Sequence, residues 1–260
     1  EDFIFETGIQ SFEDLQIENK SDRYQYNLPY YNYDKLVEQD YFSGTIDFNS
    51  NGNNYLDETN KLETNIINNF IYNSADYISD FGLKNNFSLS LKNLNSIGKK
   101  TSQYKSNPQM EIASLFNVDF IMPLEKKSNN SNNMLIPKIS FRFNPSDMKN
   151  YSSSENKIDA GNVFALNRLG LSDTLEAGKS ITLGLDYNNE KKNNLDQINN
   201  YFELKLATVF RDKEENFIPN KSTINKKNSN LFGSISNKFS DNVSIGYNFS
   251  MDNDYRTFEY

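Results

Sequence analysis

The 260-residue sequence contains no cysteine, no histidine and no tryptophan. Without cysteine the chain has no disulfide framework and no thiolate metal site. The absence of histidine removes the most common general base and the most common metal ligand. The net charge of −8 is opposite to the basic surface that nucleic-acid-binding proteins present. We therefore expect no enzyme, no metal or cofactor site and no nucleic-acid partner.

Long apolar segments are also missing. No run approaches the roughly 18 apolar residues of a transmembrane helix, and no signal peptide opens the sequence. Hydrophobic residues make up only 36%, and the mean hydropathy is −0.75. Disordered chains share this low value but are poor in aromatic residues, whereas this sequence has 20 Phe, 16 Tyr and 42 Asn. A fold with one thin apolar face and one wet face reconciles these facts.

Apolar and polar residues alternate with a period of two along much of the chain, which is typical of β-strands. The clearest case is 243–252, where Val243, Ile245 and Tyr247 alternate with small polar residues. The segments 181–187 and 139–143 show the same pattern. No helical face of comparable length is present, so the sequence predicts an all-β protein.

We predict about twelve strands, at 2–12, 24–33, 41–49, 61–72, 83–93, 111–123, 134–144, 174–187, 201–211, 231–239, 243–252 and 255–260. Most span about 9–13 residues, the length that tilted strands need to cross a bilayer, whereas strands of soluble sheets are usually about 5–6 residues long. In lipid every backbone polar group must be paired within the protein, so strands cross only as a closed sheet. The pattern therefore indicates an antiparallel up-and-down transmembrane β-barrel, of which this chain forms a part.

The connections between the predicted strands alternate in length, as extracellular loops and periplasmic turns do in outer-membrane barrels. The longer set is 13–23, 50–60, 94–110, 145–173 and 212–230, and the shorter set is 34–40, 73–82, 124–133, 188–200 and 240–242. Segments such as 126–133 and 188–200 are rich in Asn, Lys and Ser, as solvated loops are.

Several positions depart from a regular barrel strand. Ile67 and Ile71 fall on the predicted wet face, which indicates a bulge in strand 61–72. Pro29 and Pro137 interrupt strand patterns and are interpreted as strand-entry or bulge positions. Tyrosines near strand ends predict interfacial girdles, or alternatively cross-strand aromatic pairs: Tyr24, Tyr26, Tyr30, Tyr72, Tyr187, Tyr201 and Tyr247.

Three segments are more specific than the alternation. They are 21–29 (SDRYQYNLP), 134–145 (MLIPKISFRFNP) and 162–178 (NVFALNRLGLSDTLEAG), the last running into strand 180–187. Together and in this order they resemble the barrel domain of the LptD family of lipopolysaccharide (LPS) assembly proteins, also called organic solvent tolerance proteins. The resemblance implies a non-catalytic LPS translocon in the outer membrane of a Gram-negative cell.

The resemblance also implies the surroundings of such a barrel. Members have a periplasmic jelly-roll domain and a barrel of about 26 strands, which is plugged by an LptE-type lipoprotein. LPS arrives over a periplasmic Lpt bridge protein and enters the outer leaflet, among outer-membrane lipid, through a lateral gate between the first and last strands. Residues 1–260 would then be a middle part of the barrel that includes neither the jelly roll nor either of the two gate strands. The alternative is another outer-membrane barrel, a porin or a receptor-type channel.

Six residues of the third segment are candidate site residues: Asn167, Arg168, Gly170, Asp173, Glu176 and Gly178. In one interpretation they line the lumen and contact the plug or sugar. In the other, Arg168 pairs with Asp173 or Glu176 and holds an inward-folded loop, while Gly170 and Gly178 make tight turns. We favour the second.

Overall fold

The computed structural model describes residues 3–16, 22–39, 43–192, 198–240 and 243–252. These residues form thirteen strands and one short 3-10 helix, Asn220–Ser222. The strands are β1 (Phe3–Glu13), β2 (Tyr24–Gln39), β3 (Gly44–Asp57), β4 (Leu62–Ser74), β5 (Tyr77–Ile78), β6 (Lys84–Lys99), β7 (Gln109–Ile121), β8 (Leu124–Ser128), β9 (Ser131–Asn144), β10 (Gly178–Lys192), β11 (Ile198–Arg211), β12 (Leu231–Ser240) and β13 (Val243–Met251). Within the described ranges, no helix is long and apolar enough to cross a membrane.

All thirteen strands belong to one sheet, in the order β1-β2-β3-β4-β6-β7-β9-β10-β11-β12-β13, with β5 paired to β6 and β8 paired to β9. The strand pairings are antiparallel, for example from Ser180↔Arg211 to Lys192↔Ile198 between β10 and β11. The predicted all-β, antiparallel, up-and-down architecture is confirmed, and the open sheet fits a fragment of a larger barrel.

Several strands are longer than predicted. β3 continues to Asp57 and β6 to Lys99, into the segments 50–60 and 94–110 that the sequence predicts as long connections. In the extended part of β3 an asparagine amide bonds to the neighbouring strand: Asn27 Nδ2 of β2 donates to Asn53 Oδ1 at 3.0 Å. The prediction that β10 begins at 174 is wrong, because the strand starts at Gly178. The predicted strand 255–260 lies outside the described residues.

The predicted alternation of connection lengths is only partly correct. Three pairs keep the predicted order: 14–23 before 40–43, 145–177 before 193–197, and 212–230 before 241–242. The other two pairs do not, since 58–61 is shorter than 75–83 and 100–108 is no longer than 122–130. Extension of β3 and β6 shortens the predicted loops, and 122–130 contains the short strand β8, which pairs with the first part of β9.

The predicted bulge in β4 is not found where the strand pairs with β3. β4 pairs with β3 in continuous register from Gly44↔Ser74 to Leu56↔Leu62. Ile67 can lie on the polar face of β4 because its side chain is buried against Leu94 and Tyr104 in a small apolar cluster.

The two prolines lie at different kinds of position. Pro29 falls where the β2–β3 register shifts, between Asn27 and Tyr31, as predicted. Pro137 is at neither a strand entry nor a bulge, because it pairs regularly with Leu185 of β10. Its carbonyl accepts from the Met122 amide at 3.1 Å, between the end of β7 and the start of β8.

The chain divides into two compact units. The first consists of Glu1–Ala75, Leu89–Ser114 and Ser172–Leu175, and the second of Asp76–Ser88, Leu115–Leu171 and Glu176–Tyr260. The first contains the small cluster around Ile67. The second contains the larger buried apolar core, described below.

Candidate functional site

In the second unit, β9, β10 and β11 expose their apolar face and bury their polar face. A soluble sheet does the reverse. One face carries seven apolar side chains that are between 36% and 43% exposed: Ile139, Phe141, Phe143, Ile181, Leu183, Leu185 and Phe210. On the other face Ser140, Arg142, Ser180, Thr182 and Arg211 are at most 7% exposed. We call the first the outward face and the second the inner face. The apolar side is therefore open and the polar side is covered.

The connections 145–177 and 212–230 contain most of the buried core of the second unit. Ile158, Val163, Ile218 and Ile224 are fully buried, together with Val209 and Phe232 from the sheet. The Tyr151 amide donates to the Phe217 carbonyl at 2.8 Å, which ties the two connections together. The sequence predicted two long connections here but not this core, because their apolar residues follow no regular period.

Glu176 lies at the centre of a buried ionic cluster on the inner face. Arg168 binds its carboxylate in a bidentate manner, with Nε at 2.7 Å from Oε2 and Nη2 at 2.6 Å from Oε1. Arg211 Nη1 donates to Oε1 at 2.6 Å, and Arg142 Nε lies 3.9 Å from Oε2. The four side chains are at most 6% exposed. We call them the Glu176 cluster.

The remaining donors of these arginines attach the connection 145–177 to the sheet. Arg168 donates to Thr182 Oγ1 at 2.9 Å and to Ser180 Oγ at 3.0 Å. Arg142, in β9, donates to the carbonyls of Ala165 at 3.1 Å and Leu166 at 2.5 Å. The cluster therefore holds this connection against β9 and β10.

The surrounding charges determine the ionisation of Glu176. Burial alone would raise its pKa, but the charges of Arg168, Arg142 and Arg211 and the hydrogen bonds from Arg168 outweigh burial and hold the pKa well below its ordinary value. Glu176 is a carboxylate at neutral pH, so the cluster is an ion-paired clamp rather than a proton donor.

Three other predicted site residues, Asn167, Gly170 and Gly178, are not members of the Glu176 cluster. Asn167 bridges a turn, since its side chain bonds the Leu171 carbonyl at 3.0 Å and the Leu171 amide at 3.1 Å. Gly170 and Gly178 have φ of +63° and +85°, in the left-handed region that favours glycine. A Cβ at Gly178 would also lie 2.9 Å from Arg211 Nη2.

Asp173 belongs to the first unit and has other electrostatic neighbours. There Lys92 donates to the Ser172 carbonyl, and the charge of Asp173 acts on both Lys92 and Tyr104. Burial and then Asp173 raise the pKa of Tyr104 to about 12, so its hydroxyl stays neutral. Asn65 Nδ2 donates to that hydroxyl at 3.4 Å.

The sequence missed two members of the cluster, Arg142 and Arg211. Alternation did place both on the polar face, since Arg142 follows Phe141 and Arg211 follows Phe210. That they meet at Glu176 depends on the register, in which Ser180 lies opposite both arginines. Elsewhere on the inner face, Lys205 pairs with Glu203 at 3.0 Å.

Two of the predicted tyrosines make aromatic contacts. Tyr187 lies 6.1 Å from Phe202 across β10 and β11, and Tyr247 stacks on Phe249 at 6.0 Å. These contacts are of the cross-strand and same-strand kind, and they leave the girdle interpretation a prediction. Among the residues described, no group of His, Cys, Asp or Glu could hold a metal ion.

The comparisons with known proteins agree with the two-sided sheet. The family model described as LPS transport system D, LptD, matches residues 1–260. A comparison with curated proteins gave no match.

Proposed function

The chain belongs to the LptD family of outer-membrane LPS transport proteins, and from this premise we propose that it forms part of the wall of a translocon that assembles LPS into the outer leaflet. The proposed mechanism is non-catalytic, with passage through a polar lumen and a lateral gate. In this proposal residues 1–260 are a middle section of the barrel domain.

One observation supports the proposal above the others. The apolar side chains of β9, β10 and β11 are open, while the polar face behind them is covered. In water such an arrangement exposes a continuous apolar surface, which soluble monomers avoid. In a bilayer the same surface contacts acyl chains, and the paired strands leave the backbone satisfied.

The proposed transport separates the two halves of an amphiphile. Hydroxyl and amide groups on the inner face would replace water around the sugars, so the polar half would avoid the cost of desolvation. The acyl chains would stay on an apolar path. The partners in this proposal are LPS, an LptE-type plug lipoprotein inside the barrel, and the periplasmic Lpt bridge protein, which would engage an N-terminal domain.

The porin or receptor-type alternative lacks comparable support. Such a barrel would share the two-sided strands, but the family model covers the whole chain. The two functions also predict different losses on depletion. A cell depleted of this protein should stop placing new LPS on its surface. Continued LPS delivery with reduced uptake of small solutes would support the alternative.

A labelling experiment tests the orientation of the sheet. Since these 260 residues contain no cysteine, Leu183→Cys on the outward face and Lys205→Cys on the inner face would each be introduced into the full-length protein and labelled with bimane. We expect doxyl lipid to quench the label at position 183 and iodide to quench the label at 205. Iodide quenching at 183 without lipid quenching would show that the apolar face does not meet lipid.

A further inference from the structure

A groove of about 520 Å³ lies on the outward face, along the first residues of β10. Ser180 and Ile181 of β10 line it between the two neighbouring strands. Phe141 and Phe143 of β9 and Phe210 of β11 form its walls, because phenylalanine rings flank the shorter Ile181 on both neighbouring strands. Phe116 of β7 extends the wall on the β9 side. We call this feature the outward groove.

The rim of the outward groove carries a cation. Lys179 is exposed, and its ammonium lies 5.3 Å from the centre of the Phe143 ring. Asp212 lines the same end of the groove, so the rim itself is close to neutral.

The charge behind the groove is positive. In the Glu176 cluster three arginines face one glutamate, with Asp119 as a further negative charge near Arg142. Among these five buried or neighbouring groups the positive charges exceed the negative ones by one, which favours an anion beside Lys179.

The wall that carries the groove is held rigidly. Arg142 and Arg211 belong to the strands that form its two sides, and both are attached to the Glu176 carboxylate and the connection 145–177. A site whose walls are fixed before binding loses less conformational entropy when a flexible chain enters it. The two strands that carry the groove walls are therefore held in place from the inner face before a lipid chain enters.

We propose that the outward groove binds one acyl chain of a phosphorylated glycolipid of the outer leaflet, with a phosphate of that lipid at Lys179. This inference rests on the proposed function, which places the outward face in lipid. The groove lies where β9, β10 and β11 meet the long connections 145–177 and 212–230, the end that barrels of this kind direct to the cell surface. The aromatic walls take the chain and the ammonium takes the phosphate, so the site requires both parts of the lipid.

Native mass spectrometry of the full-length protein in mild detergent tests the site, with purified lipid A as the probe. Ile181→Phe places a larger side chain in the groove, and Leu183→Phe, two residues further along the same face, is its matched control. Lys179→Gln removes the rim charge, and Lys213→Gln is the control for charge. One cation near a lipid headgroup contributes about 1 kcal/mol, so we expect Lys179→Gln to weaken lipid A binding roughly fivefold. Ile181→Phe should weaken it at least as much, and both controls should bind as the wild type does.

Two further probes identify the occupant. Dephosphorylated lipid A should bind the wild type about as weakly as lipid A binds Lys179→Gln, and phosphatidylglycerol should compete poorly. Equal competition by phosphatidylglycerol, or lipid A binding that is unchanged in both groove variants, would overturn the inference. Protease resistance equal to that of the wild type shows that each variant is folded. Lipid quenching at position 183 with unchanged lipid A binding would refute the groove alone and leave the proposed function intact.

Discussion

The substitution Glu176→Gln removes the negative charge at the centre of the Glu176 cluster. Glu176→Gln keeps the shape of the side chain but leaves three arginine side chains, each at most 2% exposed, without their counter-ion. Removing one partner of a buried ion pair costs about 3–5 kcal/mol. Because glutamine still accepts a hydrogen bond, we expect the lower end, about 3 kcal/mol. A change of 1.4 kcal/mol is tenfold, so local opening of 145–177 should become roughly a hundredfold more frequent.

Hydrogen exchange of the full-length protein in bilayers measures that opening. The reporting amides lie within the connection: Val163 bonds to the Asp159 carbonyl at 3.1 Å, and Gly170 bonds to the Asn167 carbonyl at 3.0 Å. Both amides should exchange faster in Glu176→Gln, while amides of β13 should not change.

Glu203→Gln is the matched control for this prediction. Glu203 pairs with Lys205 on the same face, but the two side chains are 20% and 33% exposed. Pairs of this kind contribute about 0–1 kcal/mol, so exchange should change less than about fivefold. Adding Arg168→Met to Glu176→Gln should recover part of the protection, because it removes an unpaired buried charge. If Glu176→Gln exchanged like the control, the clamp would not hold the connection.

Three further predictions concern Arg168, Glu176 and Gly178, the glycine with which β10 begins. Arg168→Ala should block assembly of the full-length barrel, seen as loss of its protease-resistant form; normal assembly with defective LPS export would instead favour a role in transport. Gly178→Ala should lower the free energy of unfolding by about 1–3 kcal/mol in denaturant titration, and more than Gly82→Ala, which shares a φ of +85° but meets no atom within 4 Å, whereas Gly178 meets Arg211. Because its folded pKa is lowered, Glu176 should contribute its full stability above an unfolded pKa of about 4.3 and lose it only as the pH falls through the lower folded value. After correction for the intrinsic pH dependence of amide exchange, the protection of these amides at pH 5 should thus match their protection at pH 7, and weaker protection at pH 5 would contradict the ionised state.

Much of the fold could be predicted because alternation is a local signal. Ile181, Leu183 and Leu185 mark one face of β10 whatever its neighbours are, and the structure leaves all three exposed. Strand ends were harder, because an asparagine-rich segment looks the same whether water or a neighbouring strand satisfies its amides. Asn53 lies in a segment predicted as a loop, and its bond with Asn27 on the neighbouring strand becomes evident only once the strands are paired.

The sequence by itself determined the all-β class, the two unlike faces of the strands and the family, because each follows from residue order within short segments. Only the tertiary structure decided that Arg142 and Arg211 meet Glu176, and that 145–177 and 212–230 share a buried core. Those contacts join residues far apart in the chain. Their meeting depends on strand register and on the path of two irregular connections, neither of which a periodic pattern encodes.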